Sequence, residues 1–241
     1  MRVLLEQLDT LAKTHDVRDI DVFGSGPNAK CHSELVLAIA LAGQEIMMYM
    51  IEDPDLVHGL LKKIQEMNIR LIEFFADRQG RHIEQIFISD CTGVMLSHDL
   101  WEVFGLPRKN QLLDAFDADC ALHGCGIVNH LLSLYPTLSK FSWLEAGYGT
   151  DVGKLLAMLD GAGIGRADFL LEPAHLKETS ARTLRGELQS LIEGVSPRAL
   201  RLRTGPMEYG TPLENIGALY DVIRHESDSP VGQWAEAREN Y

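Results

Sequence analysis

Ile86-Phe87-Ile88-Ser89-Asp90 decides the architecture, because three large apolar residues run without interruption and a polar pair closes them. A strand with water on one face alternates apolar and polar side chains. An unbroken apolar run instead points to a strand covered on both faces, as in a parallel sheet flanked by helices. Four later runs have the same form: Cys120-Ala121-Leu122-His123, Phe141-Ser142-Trp143-Leu144, Asp168-Phe169-Leu170-Leu171 and Ala199-Leu200-Arg201-Leu202. A helix-sized stretch separates each from the next, as crossover connections between parallel strands require. Upstream, Asp19-Ile20-Asp21-Val22-Phe23, closed by Gly24-Ser25-Gly26-Pro27, is a sixth strand candidate.

The intervening segments carry helix signals. Asp53-Pro54 caps a helix with proline in its first turn, and Leu56, Leu60, Ile64, Met67, Leu71 and Phe75 continue at helical spacing to Gly80. A helical region is expected over 34–51. Thr211-Pro212-Leu213-Glu214 reads as a capping box opening the last helix. The expected organisation is a single barrel-like domain over 1–225, followed by a polar tail over 226–241.

The chain has 241 residues, 22 of them basic and 35 acidic, for a net charge of −13. That balance argues against nucleic acid or an anionic membrane surface as partner, since phosphate binding is driven by Lys and Arg. No apolar run approaches the about 18 residues of a membrane span, and Met1-Arg2-Val3-Leu4-Leu5-Glu6 lacks the form of a signal peptide. A cytoplasmic location is expected. In that setting Cys31, Cys91, Cys120 and Cys125 read as thiols or metal ligands rather than a disulfide framework.

Polar or reactive residues sit at or just beyond the strand ends: Asp90, His123 with Cys125, Glu145, Glu172 and the loop from Arg203 to Tyr209. In a (β/α)8 barrel these ends converge on one face, where such barrels build their sites. Leu122-His123-Gly124-Cys125-Gly126 is the most informative of them. Extended residues two apart face one side, so His123 and Cys125 can offer one metal an imidazole nitrogen and a thiolate, a pair that suits zinc. The bland alternative is a buried histidine beside a structural cysteine. A metal needs further ligands, and Glu145 at the next strand end is the first candidate, Glu208 the second. Cys120 has the opposite parity and is expected to pack as a small hydrophobe. Cys91 reads as loop and His98 as first-turn surface behind an N-cap at Ser97, both without a metal role.

Asp90 followed by Gly93-Val94-Met95-Leu96-Ser97, then Phe104-Gly105-Leu106-Pro107, His123-Gly124-Cys125-Gly126, Gly149-Thr150-Asp151 and Thr211-Pro212-Leu213-Glu214-Asn215-Ile216 together resemble the uroporphyrinogen decarboxylase superfamily. The order and spacing hold over roughly 20–225. The resemblance implies a TIM-barrel fold and one of two activities, cofactor-free decarboxylation of a tetrapyrrole or corrinoid-dependent methyl transfer assisted by zinc. His123 and Cys125 look like the zinc pair of the methyltransferase branch, with Glu145 and Glu208 completing the site and Asp90 orienting a substrate or a histidine. Members of that branch carry another Cys shortly before the Thr-Pro-x-Glu-Asn element, where this chain reads Thr204-Gly205-Pro206-Met207-Glu208-Tyr209.

The resemblance therefore implies a methyl group moving between a corrinoid and a small thiol or methyl donor. No Asp-x-His-x-x-Gly element is present, so cobalamin is expected on a partner corrinoid protein. Six strand candidates against the eight of a closed barrel imply an incomplete barrel lacking its first strands, with exposed edges covered by homo- or hetero-oligomeric association. Tetrapyrrole decarboxylation is the first alternative, and a non-catalytic subunit of a methyltransferase system the second.

Overall fold

The computed structural model describes residues 28–193 and 199–227. Two compact units divide the chain: one ends at His123 and takes in Thr137–Ser142, and the other comprises Gly124–Pro136 and the chain from Trp143 on.

The first unit is built on three parallel strands, β1 (Asn28–His32), β2 (Gln85–Ser89) and β3 (Asp119–Gly124), paired in that order. Ile86, Ile88, Cys120 and Leu122 are at most 1% exposed and line one face of these strands; on the other face Ala121 is buried, while Phe87 and His123 are only part-buried. β1 was not legible as a strand. Its sequence Asn-Ala-Lys-Cys-His buries only Ala29 fully, and it is held extended by its ladder to β2 rather than by apolar content. The strand expected over Asp19–Phe23 lies outside the described residues.

Helix α1 (Glu34–Ala42) starts at Ser33, whose hydroxyl accepts from the Val36 amide, and α2 (Ile46–Glu52) follows. The single helix expected over 34–51 is broken at Gly43, whose φ of 84° lies outside helical space. Helix α3 (Pro54–Gln79) is as expected: Asp53 accepts from the Leu56 amide at 3.1 Å, Pro54 opens the first turn, and left-handed Gly80 ends it. Ser97 caps His98–Leu100 as expected. From there the chain passes through a π-helical turn, Trp101–Gly105, into α4 (Leu106–Phe116). Such turns widen the helix locally and mark places where side chains are specially placed.

The second unit carries β4 (Phe141–Gly147) from Trp143 on, β5 (Arg166–Leu171) and β6 (Ala199–Thr204), also parallel and in sequence order. Leu144, Ala146, Ala167, Phe169 and Leu171 are buried on one face. The alternate positions carry Trp143, Glu145, Asp168, Arg201 and Arg203. Around the strands lie α5 (Val152–Gly161), capped by Asp151, then α6 (Pro173–Glu178), α7 (Ala181–Glu193) and α8 (Leu213–Ser227). The capping box expected at Thr211 is not made. Its hydroxyl donates instead to the Glu208 carbonyl at 2.8 Å, which closes the turn before the helix. Asn215, 2% exposed, donates to the Leu176 and Thr179 carbonyls at 2.7 and 2.8 Å, so it ties α8 to the end of α6.

Strands and helices thus alternate as a parallel α/β series, with six strands among the described residues where a closed (β/α)8 barrel has eight. No single helix among them is long and apolar enough to cross a membrane.

Candidate metal centre

The ends of β2 and β3 are fixed to each other by the ladder. Ser89 lies beside His123 in register, and the pairing runs one residue further, the Asp90 amide donating to the His123 carbonyl at 2.9 Å. Beyond that bond the two chains diverge, and Cys91 leaves β2 next to His123. The sulfur of Cys91, one ring nitrogen of His123 and the sulfur of Cys125 lie within 4.8 Å of one another. Two thiols and an imidazole at that separation need only small side-chain rotations to meet one tetrahedral ion. Cys91 and His123 are part-exposed and Cys125 is exposed, so the group opens to solvent. Ser89 Oγ lies 3.5 Å from Cys91 Sγ, and the Phe87 ring sits 5.9 Å from the imidazole.

The backbone at Cys125 is crowded. A Cβ on Gly147 would fall on the Cys125 carbonyl and within 2.6 Å of the Gly126 oxygen, and one on Gly124 would come within 2.9 Å of Val128. Both glycines are there because backbone or a packed side chain occupies the space.

Asp90 does not face an open site. It is 2% exposed; its Oδ2 accepts from the Trp101 indole N–H at 2.8 Å, and its Oδ1 lies 3.3 Å from Lys109 Nζ. Lys109 is itself fully buried and donates to Glu34 at 2.9 Å, with its ammonium 5.1 Å from the centre of the Trp101 ring. Burial raises the Glu34 carboxyl above the usual range. Burial pulls Lys109 the other way, but Asp90 and Glu34 outweigh it and hold the ammonium charged. A Cβ on Gly93 would come within 2.6 Å of Asp90 Oδ2, so the Asp90 to Gly93 turn is shaped around this carboxylate. The residue expected to be catalytic, Asp90, is thus placed in a buried set of contacts with Trp101 and Lys109, and these lock the strand end that carries Cys91.

The two carboxylates expected as ligands are engaged elsewhere. Glu145 pairs with Arg203 at 3.1 Å, and Glu208 pairs with Lys177 at 3.0 Å on an exposed surface. Cys120 packs as expected, fully buried, and burial pushes its thiol up to about 12. His98 is surface, paired with Asp99 at 3.0 Å. Cys91 is the residue that reading the chain missed. The signal was present in its place directly after a strand end, but the loop that turns it toward His123 is set by the buried Asp90 lock, which spacing does not reveal.

No curated protein matches this sequence. Among solved structures, a methyltransferase from Methanosarcina mazei shares the fold, with a TM-score of 0.62 and 22% identity over 84% of this chain. The match covers 59% of that protein's chain. The family model described as uroporphyrinogen decarboxylase (URO-D) matches residues 36–225, a span that contains the Asp90 lock, the Cys91, His123 and Cys125 group and the Asn215 tie. With that span covered, the chain belongs to the uroporphyrinogen decarboxylase family.

Proposed function

We propose that the protein is a zinc-assisted methyltransferase, moving a methyl group between a corrinoid protein and a small thiol or methyl donor. The observation that carries this reading is the convergence of Cys91, His123 and Cys125. Three protein ligands with a solvent-open fourth position is the pattern of a catalytic rather than a structural zinc site. Zinc bound there would hold a substrate thiol as the thiolate, the form that attacks a methyl group. Cys91 supplies the second sulfur that the loop over 204–209 lacks. The chain's own contribution is positional: the β2 to β3 ladder and the Asp90 lock hold two ligands, and the Gly147 crossing holds the third. The corrinoid arrives on a partner protein, and oligomeric association accompanies the function. The alternative of tetrapyrrole decarboxylation loses its acid, because Asp90 is buried against Trp101 and Lys109.

Elemental analysis of protein purified without chelator tests the proposal. The expected result is one zinc per chain, lost in Cys91→Ser, His123→Ala and Cys125→Ser and retained in Glu208→Gln. Wild-type protein free of zinc, or a Cys91→Ser variant that keeps a full complement, overturns it. The zinc form should also demethylate methylcobalamin in the presence of a small thiol, followed by the corrinoid absorption spectrum.

A further inference from the structure

The face of β4, β5 and β6 that carries charged residues holds an arrangement the metal group does not use. Asp168 on β5 is fully buried, and Glu145 beside it on β4 is 5% exposed at its side chain. Arg201 engages Asp168 through Nε and Nη2, and Arg203 engages Glu145 through Nη1, with the same nitrogen 3.6 Å from Asp168. The Trp143 indole N–H donates to the other Asp168 oxygen at 3.2 Å and fixes that carboxylate from the third side.

If these contacts served only to neutralise two buried carboxylates, the guanidiniums would be expected to be buried with them. They are not: the side chains of Arg201 and Arg203 are 52% and 44% exposed. Among the described residues, the hydrogen bonds of these two guanidiniums run through Nε and Nη2 of Arg201 and Nη1 of Arg203, which leaves Nη1 of Arg201 and Nε and Nη2 of Arg203 as further donors. The acids are therefore at the back and the cations at the front. Residues i and i+2 of a strand face one side about 7 Å apart, so one oxyanion fits between the two forks. Guanidiniums already oriented by carboxylates lose little side-chain freedom on binding, and their remaining N–H groups match the oxygen pairs of a carboxylate or phosphate.

We propose that Arg201 and Arg203 form an anchoring site for an oxyanion, a carboxylate or phosphate group of a small ligand, held rigid by Asp168, Glu145 and Trp143. This does not rest on the metal reading, since all five residues lie in the second unit and none belongs to the Cys91, His123 and Cys125 group.

Calorimetric titration of the whole chain with inorganic phosphate, and separately with acetate, at constant ionic strength in chloride tests the site. At least one anion should bind saturably at one site per chain. The double variant Glu145→Gln/Arg203→Gln keeps that pair neutral and should bind at least tenfold more weakly. Failure of both anions to bind beyond the chloride control, or equal binding by the double variant, overturns the proposal. Should the double variant not fold, the arginine Nε–H resonances of ¹⁵N-labelled wild type decide: shifts at Arg201 or Arg203 support the site, and shifts confined to other arginines or none at all overturn it.

Discussion

Replacing Lys109 with methionine keeps most of the side chain's volume and removes the cation that Glu34 and Asp90 share. Both carboxylates are buried, Glu34 at 1% and Asp90 at 2% exposure, and water does not reach them to compensate. Breaking a buried pair in this way costs about 3–5 kcal/mol, because the cost is that of an uncompensated charge and not merely of a lost contact. A domain has about 5–15 kcal/mol in total. With a urea dependence near 2 kcal/mol per molar, the unfolding midpoint should fall by about 2 M. The loss should also depend on pH in a definite direction. Without the ammonium, which lowers it, the Glu34 carboxyl is raised further above its unfolded value, so the folded state binds its proton more tightly. A raised carboxyl contributes stability below its unfolded value, 4.5 for Glu34, and that contribution is lost as pH rises through its folded value. The deficit of Lys109→Met should therefore be greatest near pH 7 and shrink on acidification toward 4.5. Adding Glu34→Gln should recover part of it at pH 7. Urea unfolding followed by tryptophan fluorescence reads all three effects. A cost below about 1 kcal/mol, or a deficit that grows as pH falls, would refute the view that these charges are buried and mutually dependent. Zinc affinity should fall in Lys109→Met as well, because the lock sets the path of Cys91.

Gly147→Ala should destabilise by about 1–3 kcal/mol, the range for overpacking, and weaken zinc binding, since its Cβ displaces the Cys125 to Gly126 backbone; unchanged thermal unfolding and zinc content would count against the crossing as drawn. Asn215→Leu leaves the Leu176 and Thr179 carbonyls without their shared donor, with an expected cost of about 1–3 kcal/mol, measured by chemical denaturation. Iodoacetamide at pH 8 should alkylate exposed Cys125 and spare Cys120, whose thiol stays protonated to about 12; peptide mapping checks this, and zinc should protect Cys125. Glu187 is opposed by burial, but hydrogen bonds from His175 and Tyr148 hold its carboxyl below the usual range. That contribution is present above the unfolded value of 4.5 and lost as pH falls through the folded one, so Glu187→Gln should flatten the acid limb of a thermal stability profile.

Much of the architecture could be read along the chain because its signals are local. β2, β3 and β5 fall where apolar runs end in polar residues, β6 falls on a run that Arg201 interrupts, and α3 carries its cap, its proline and its terminal glycine between Asp53 and Gly80. β1 escaped because a strand short of apolar residues is defined by its neighbour's hydrogen bonds, which no local pattern records. The Thr211 capping box failed for a related reason. The hydroxyl donates to the Glu208 carbonyl, a partner supplied by the preceding turn and not by the helix motif.

The site divides along the same line. His123 and Cys125 were identifiable from their spacing, because two residues in an extended strand end point to one side whatever the rest of the chain does. The third member of their group was not, and neither were the true partners of Glu145, Glu208 and Asp90. Spacing along a chain constrains neighbours within one element, whereas the choice among Cys91, Glu145 and Glu208 depends on which loops a fold brings to His123 from 22 to 85 residues away. Here a buried lysine, reached through a π-helical turn, holds Asp90 and so turns Cys91 toward the histidine, while two arginines on β6 take Glu145 and its neighbour Asp168. By itself the sequence determined the alternation of strands and helices and one candidate metal-binding pair. Only the tertiary structure decided what completes that pair, because buried charges are settled by whichever opposite charge the packed fold places within reach.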